Sequence, residues 1–161
     1  TPDDGGDPRF SGGKSDRGRC SGAVPRRPVI LADSSAWIDL DRAAGSVADR
    51  ELTRAISKDP GAVAVTEPIL MDILAGARSE TDAQRLRNML TSLAWIPCDP
   101  VADFEGAATI YRLCRAGGVT PRSLDDCLIA SIALRTDAEL LTSDRGFEQI
   151  ALVVPLRLYA A

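Results

Sequence analysis

From residue 29 onward, short apolar runs alternate with longer stretches whose apolar residues recur every three to four positions. The runs "VILAD" (29–33), "AVAVT" (62–66), "AWIPC" (94–98) and "ELLTS" (139–143) are each followed by helix-type periodicity, and "LVVPL" (152–156) closes the series. A run that is apolar on both faces suits a strand covered on both sides. Strands separated by helices pair in parallel, because the crossover brings the chain back to the starting edge. The pattern therefore predicts an α/β fold, a three-layer α/β/α sandwich with a mostly parallel central sheet of about five strands. A chain of 161 residues is long enough for one such domain with its own core. Apolar residues make up 45% of it and aromatics only 4%, so Ala, Leu, Val and Ile carry the packing.

Start and stop signals place the helices between the runs. Ser34 or Ser35 caps a short helix to Leu40, and Ser46 with Asp49 three residues on opens a helix that Pro60-Gly61 ends. A helix over 67–77 carries Pro68 in its first turn, where the missing N–H does no harm. Further helices are expected over 82–93, over 100–115 with a stop at Gly117-Gly118, over 123–136, and as a short turn over 146–150.

Residues 1–27 are different: rich in Gly, Pro, Ser, Asp and Arg, without apolar periodicity, they are expected to form a disordered tail on a domain spanning 28–161. The tail holds six Lys/Arg against four Asp, so of the formal −4 the remainder carries −6. A body of that sign repels nucleic acid unless bound cations reverse it locally. No apolar run reaches the 18 residues of a membrane span and no secretory core is present, so a cytoplasmic protein is expected. Cys20, Cys98, Cys114 and Cys127 form no C-x-x-C pair and suggest neither zinc nor a disulfide framework.

Histidine is absent altogether. That removes Ser-His-Asp and Cys-His catalysis, His-based zinc sites and His-based RNA cleavage together. What remains is carboxylates, hydroxyls, arginine and metal-bound water. The acids fall in a pattern: Asp33 ends the first strand, Asp144 follows the fourth, and Asp126 sits in the first turn of a helix. Asp72 lies among Ile69, Leu70, Met71, Ile73 and Leu74, where a carboxylate is costly without a partner. In an open parallel sheet, ligands bind at the carboxyl ends of the strands.

Each acid also has an ordinary role open to it: a helix cap for Asp33, a capping box with Ser123 for Asp126, a turn for Asp144, a solvated stripe for Asp72. Glu67, Asp125 and Glu148 are read as solvent-facing or cap residues. None of these roles explains four acids at one sheet edge. Two carboxylates about 5 Å apart repel by roughly 3 kcal/mol at an effective dielectric near 20, so the cluster calls for protons or cations. Oxygen ligands alone select hard cations, Mg²⁺ or Mn²⁺.

At these residues the sequence resembles the PIN-domain ribonucleases, and more narrowly the VapC toxins of type II toxin–antitoxin pairs. The blocks are "LADSSAWID" from Leu31, "TEPILMDILAGAR" from Thr66, "RSLDDCLIASIALR" from Arg122 and "LLTSDRGFEQIA" from Leu140, in the family's order over about 130 residues from Val29. The resemblance implies metal-dependent cleavage of RNA, with Asp33, Asp126 and Asp144 as metal ligands and Asp72 as the fourth acid. The family commonly has Glu where Asp72 stands; the Asp carboxylate retracts by about 1.5 Å, one C–C bond, so a bridging water would restore the contact. Glu67 is a nearby alternative, on another face of the helix. The resemblance further implies a VapB-type antitoxin covering the groove, tRNA, rRNA or mRNA as substrate, and a homodimer. Arg122 and Arg78 are candidates to contact phosphate or antitoxin; Ser34 and Thr142, beside the acids, are candidates to orient a ligand or water as well as to cap.

Two other readings stay open. A PIN-like module that no longer cuts, and serves RNA or protein binding, is suggested by Asp72 in place of Glu. An aspartyl phosphoacceptor fits the strand-end acids but lacks a lysine at the end of a late strand, since only Lys14 and Lys58 exist.

Overall fold

The computed structural model describes residues 29–160; the expected tail and Cys20 lie outside the described residues. Four strands, β1 (Ile30–Ala32), β2 (Val63–Val65), β3 (Ala94–Trp95) and β4 (Glu139–Leu141), form one parallel sheet in the order β3-β2-β1-β4. Leu31 faces Ala64 on one side and Leu140 on the other, and Val65 faces Trp95. Every residue of β1 and β2 is buried, as the unbroken apolar runs require of strands covered on both faces.

Seven helices flank the sheet: α1 (Ser34–Asp41), α2 (Val47–Lys58), α3 (Glu67–Ala75), α4 (Glu80–Thr91), α5 (Ala102–Ala116), α6 (Leu124–Thr136) and α7 (Gly146–Ala151). α1 packs on α2 and α3, α3 on α4, and α6 on both α5 and α7, while a further contact of α3 with α6 joins the two groups. Leu31, Leu52, Ile69, Leu90, Ile129, Ile132 and Phe147 are fully buried between helices and sheet. None of the helices among the described residues is long and apolar enough to cross a membrane.

Most predicted boundaries hold within two residues. The fifth strand does not form at 152–156: Pro155 has no N–H to give a ladder, and Leu152 is 77% exposed. The pairing occurs a few residues later, as a single parallel bridge of Leu158 with Leu140, whose N–H donates to Arg157 O at 2.9 Å. α4 begins at Glu80 instead of residue 82, because the Ser79 hydroxyl accepts the Asp82 N–H and so caps an earlier turn. Ser46 caps α2 as expected, but the Asp49 carboxylate accepts from Gly45 N–H at 2.9 Å, one residue before the cap.

Away from the acidic edge, α5 and α6 are pinned by an ion pair. Asp103, whose side chain is 1% exposed, takes both Nε and Nη2 of Arg135 at 2.8 and 2.7 Å, and Arg135 also donates to Pro97 O. Such a forked pair satisfies a buried charge that would otherwise be prohibitive.

The strand order has one consequence for function. From β1 the chain moves outward to β2 and β3, then returns to place β4 on the other side of β1. That reversal lies between β1 and β4, and in open α/β sheets ligands bind beyond the carboxyl ends of the strands at such a point.

Candidate active site

Asp33 follows directly on the end of β1, at that edge. It is the N-cap of α1, and its side chain is held tightly: Oδ2 accepts from Ser35 N–H at 3.2 Å, from Ser35 Oγ at 2.7 Å and from Thr142 Oγ1 at 3.1 Å. The residue is only 3% exposed. Oδ1 meets only the Ser34 hydroxyl, at 3.4 Å, and is therefore the oxygen with lone pairs to spare. Thr142 in turn accepts the Asp144 N–H at 2.9 Å, and Ser35 Oγ accepts the Ser143 N–H at 2.9 Å, so two hydroxyls bolt the β4 loop to Asp33.

The other acids surround this one. Ser34 Oγ lies 3.4 Å from Asp72 Oδ2 as well as from Asp33 Oδ1, so one hydroxyl bridges the two carboxylates. Asp72, half-buried on α3, has its pKa raised by burial, then by repulsion from Asp125 and Asp33, with the Ser34 bond opposing. Asp126 closes a full capping box at the start of α6, its carboxylate accepting Ser123 N–H and its own N–H donating to Ser123 Oγ. Burial raises its pKa; the Ser123 hydroxyl works against this, and repulsion from Asp144 and Asp33 adds to it. Asp144 accepts Gly146 N–H at 2.7 Å on Oδ1 and Arg122 Nη1 at 2.9 Å on Oδ2.

Asp33 is thus near enough to both Asp72 and Asp126 to raise their pKa values, with Asp125 acting on Asp72 and Asp144 on Asp126. Asp33, Asp126 and Asp144 also perform the cap or turn task open to them in sequence, so capping and clustering are not competitors there, whereas Asp72 is half-buried and not part of a solvated stripe. Ser34 and Thr142 stand between the acids as expected. Ser34 or Ser35 is the cap expected for α1, but the cap found is Asp33: both serines lie inside the first turn, and Ser35, the second helical residue, gives its N–H to that cap and its hydroxyl to the same carboxylate. Asp125, read as a solvent-facing or cap residue, lies in the first turn of α6, half-buried, lining a cleft with Glu67, Pro68 and Met71 of α3 and near enough to Asp72 to raise its pKa.

Glu67 is occupied elsewhere. Its carboxylate accepts from Cys98 N–H at 2.7 Å, Trp95 Nε1 at 3.1 Å and Thr66 Oγ1 at 3.2 Å, tying the start of α3 to the segment after β3. Burial works against ionisation, but these bonds outweigh it and hold the Glu67 pKa low. Arg78 lines a small cleft of about 120 Å³ with Arg42 and Asp72, on the α1–α4 side of the acids.

The donors suit a hard divalent cation in chemistry, being oxygen alone and short of positive charge. In geometry they do not make a finished cage: among the described residues no three of His, Cys, Asp or Glu converge closely enough to hold an ion. Mg²⁺ tolerates such an arrangement, since it is commonly held by one or two carboxylates and keeps several waters.

Comparison with known proteins gives a consistent answer. Residues 30–153 match the PIN domain family. "Ribonuclease VapC11" of Mycobacterium tuberculosis is 40% identical over 129 residues, 80% of this chain and 96% of its own length. A VapC ribonuclease of Mycobacterium bovis is equally similar over the same span. Among solved structures, VapBC2 of Rickettsia felis bound to promoter DNA superposes with a TM-score of 0.64 at 15% identity, covering 81% of this chain and 97% of that one. DNA-bound VapBC of Salmonella typhimurium gives 0.60 at 18%, covering 83% and 98%. At those identities the likeness is one of fold. With four acids at the carboxyl edge of a parallel sheet and a family match over most of its length, this chain belongs to the PIN-domain family, in its VapC group.

Proposed function

We propose that the chain is an endoribonuclease toxin of a VapBC module, using Mg²⁺ or Mn²⁺ to hydrolyse RNA phosphodiester bonds at the cluster of Asp33, Asp72, Asp126 and Asp144. The observation that carries this reading is the gathering of acids at one sheet edge: Ser34 Oγ lies 3.4 Å from both Asp33 and Asp72, and Asp33 is hydrogen-bonded to Thr142 of the loop that holds Asp144. Carboxylates kept so close at a cost to stability serve a purpose that stability does not supply. The relatives at 40% identity, named as ribonucleases, support the choice of reaction.

When bound, a divalent cation supplies charge neutralisation at the phosphate and a water acidic enough to attack it. Asp33 would be the anchoring ligand through Oδ1, since Ser35 and Thr142 hold Oδ2. Asp126 and Asp144 would be the further ligands, each able to join Asp33 at an ion that keeps several of its waters, since the three carboxylates do not by themselves close a cage. Asp72, across Ser34 and with protonation favoured by its neighbours, is suited to accept the proton of the attacking water. Its shortened side chain still reaches the hydroxyl that touches Asp33.

The partner under this reading is a VapB-type antitoxin, and a second copy of the chain completes a homodimer in the cytoplasm. Met71, Val101, Phe104 and Leu124, each more than half exposed, offer apolar surface for such contacts. Purified protein should cut RNA in Mg²⁺ or Mn²⁺, and both EDTA and Asp33→Asn should lower the rate by at least about a hundredfold. Cleavage that survives both treatments overturns the reading. The absence of a finished three-acid cage favours one competitor, a binding module that no longer cuts; titration calorimetry with Mn²⁺ giving no heat would decide for it.

A further inference from the structure

The acids occupy an edge that a polyanion must approach, on a body whose described residues carry −6 by sequence. An RNA strand therefore needs local cations where its phosphates touch down. On the α6–α7 side of Asp144 the structure has two. Arg122 lies in the loop before α6 with a side chain 73% exposed, and its bond to Asp144 uses Nη1 alone among the described residues. Arg145, the residue after Asp144, is exposed and makes no ion pair among the described residues. Both line an open cleft of about 490 Å³ together with Thr120, Pro121, Gly146 and Gln149.

The geometry points to Arg122, with Arg145 beside it, as the grip on an RNA backbone phosphate next to the one being cut. This rests on the ribonuclease reading and assigns it a strand path, leaving the acids over the α6–α7 side. Three features carry it. A guanidinium held at one nitrogen keeps donors for a second oxygen anion, and a phosphate offers the fork geometry that Arg recognises. The pairing with Asp144 fixes the guanidinium beside the acids, so the phosphate it takes is adjacent to the reacting one. The cleft contains no large apolar side chain to bind a base or a helix, which favours a backbone contact over a protein partner. Asp144 and Glu148 line the same cleft, so within it the two guanidinium groups are the places where an anion can touch down.

The test uses the full chain carrying Asp72→Asn, which removes the proposed proton acceptor and leaves Asp33, Asp126 and Asp144 in place, in Mn²⁺ buffer, with a short fluorescein-labelled single-stranded RNA and anisotropy as the readout. Adding Arg122→Gln should weaken binding by several-fold to about tenfold whatever the RNA sequence, and flatten the slope of log affinity against log salt by about 0.7, the value of one phosphate contact on a single strand. Arg122→Lys should recover most of the affinity, because the charge remains. Arg145→Gln should act in the same direction and more weakly. A residue that only steadied Asp144 would leave the salt slope alone. Unchanged affinity and slope for Arg122→Gln, while the parent binds RNA and the wild type cuts it, overturn this inference and leave the nuclease reading standing. The same result with weakened binding of an acidic antitoxin peptide overturns it in favour of a protein contact. A parent that does not bind RNA, with a wild type that does not cut it, overturns both.

Discussion

At the scale of single residues, the acids trade stability for chemistry. Asp126 has its pKa raised by burial and by Asp144 and Asp33, so the folded chain holds that proton more firmly than the unfolded chain does. The stability this contributes is fully present in acid, below the unfolded value, and is lost as pH rises through the raised folded value; at neutral pH the charged form is a liability. Asp126→Asn keeps an oxygen for the Ser123 N–H while removing the charge. In buffer with EDTA it should raise the melting temperature at pH 7 by a few degrees, and the gain should vanish near pH 4. A melting temperature below wild type at pH 7 would mean that the carboxylate is held by partners rather than strained by neighbours. Legibility ends at the same scale: "LADSSAWID" identified Asp33 and Ser34, yet the residue that grips Asp33 hardest is Ser35, visible only when Thr142 and Ser143 arrive from 107 and 108 positions away.

At the scale of elements, the contact of α5 with α6 determines where the first turn of α6, and with it Asp126, comes to rest. Gly106 is a point of close approach: a Cβ there would stand 2.1 Å from Ser131 Oγ and 3.3 Å from Ser131 Cβ. Alanine at an exposed helix position gains about 1 kcal/mol over glycine from propensity. Overpacking costs about 1–3 kcal/mol, and Ser131 is buried with little room to turn, so the overlap should win. Gly106→Ala is expected to lose about 1 kcal/mol in urea unfolding, and Ser131→Ala in the same chain should return most of it. If the single variant is more stable than wild type, the helices have separated and the packing is looser than drawn. Strands and helices were legible because period and caps are local. The displaced fifth pairing was not, since a one-residue bridge at Leu158 carries no run to recognise and Pro155 is the sole local reason that 152–156 fails.

At the scale of the molecule, the acidic edge makes divalent cations a folding ligand as well as a cofactor under the proposed function. A cation at about a hundred times its dissociation constant adds about 2.7 kcal/mol by mass action, which in a domain of this size is a rise in melting temperature on the order of 10 °C. Mn²⁺ should produce that rise and Asp33→Asn should abolish it. A melting curve that ignores Mn²⁺ would remove metal from the account.

The amino-acid order alone determined that this is an α/β chain with a parallel sheet, that no histidine serves it, and which acids stand at strand ends and first turns. These follow from side-chain period, capping and composition, which act over a few neighbouring residues. Only the tertiary structure decided that Asp72 reaches Ser34 despite its shorter side chain, that Glu67 is spent on Cys98 and Trp95, that Asp125 lies near Asp72, and that Arg122 stands beside Asp144. Each of those depends on how far one element lies from another, and hydrogen bonds and charge repulsion change over ångströms while a sequence records only separation along the chain.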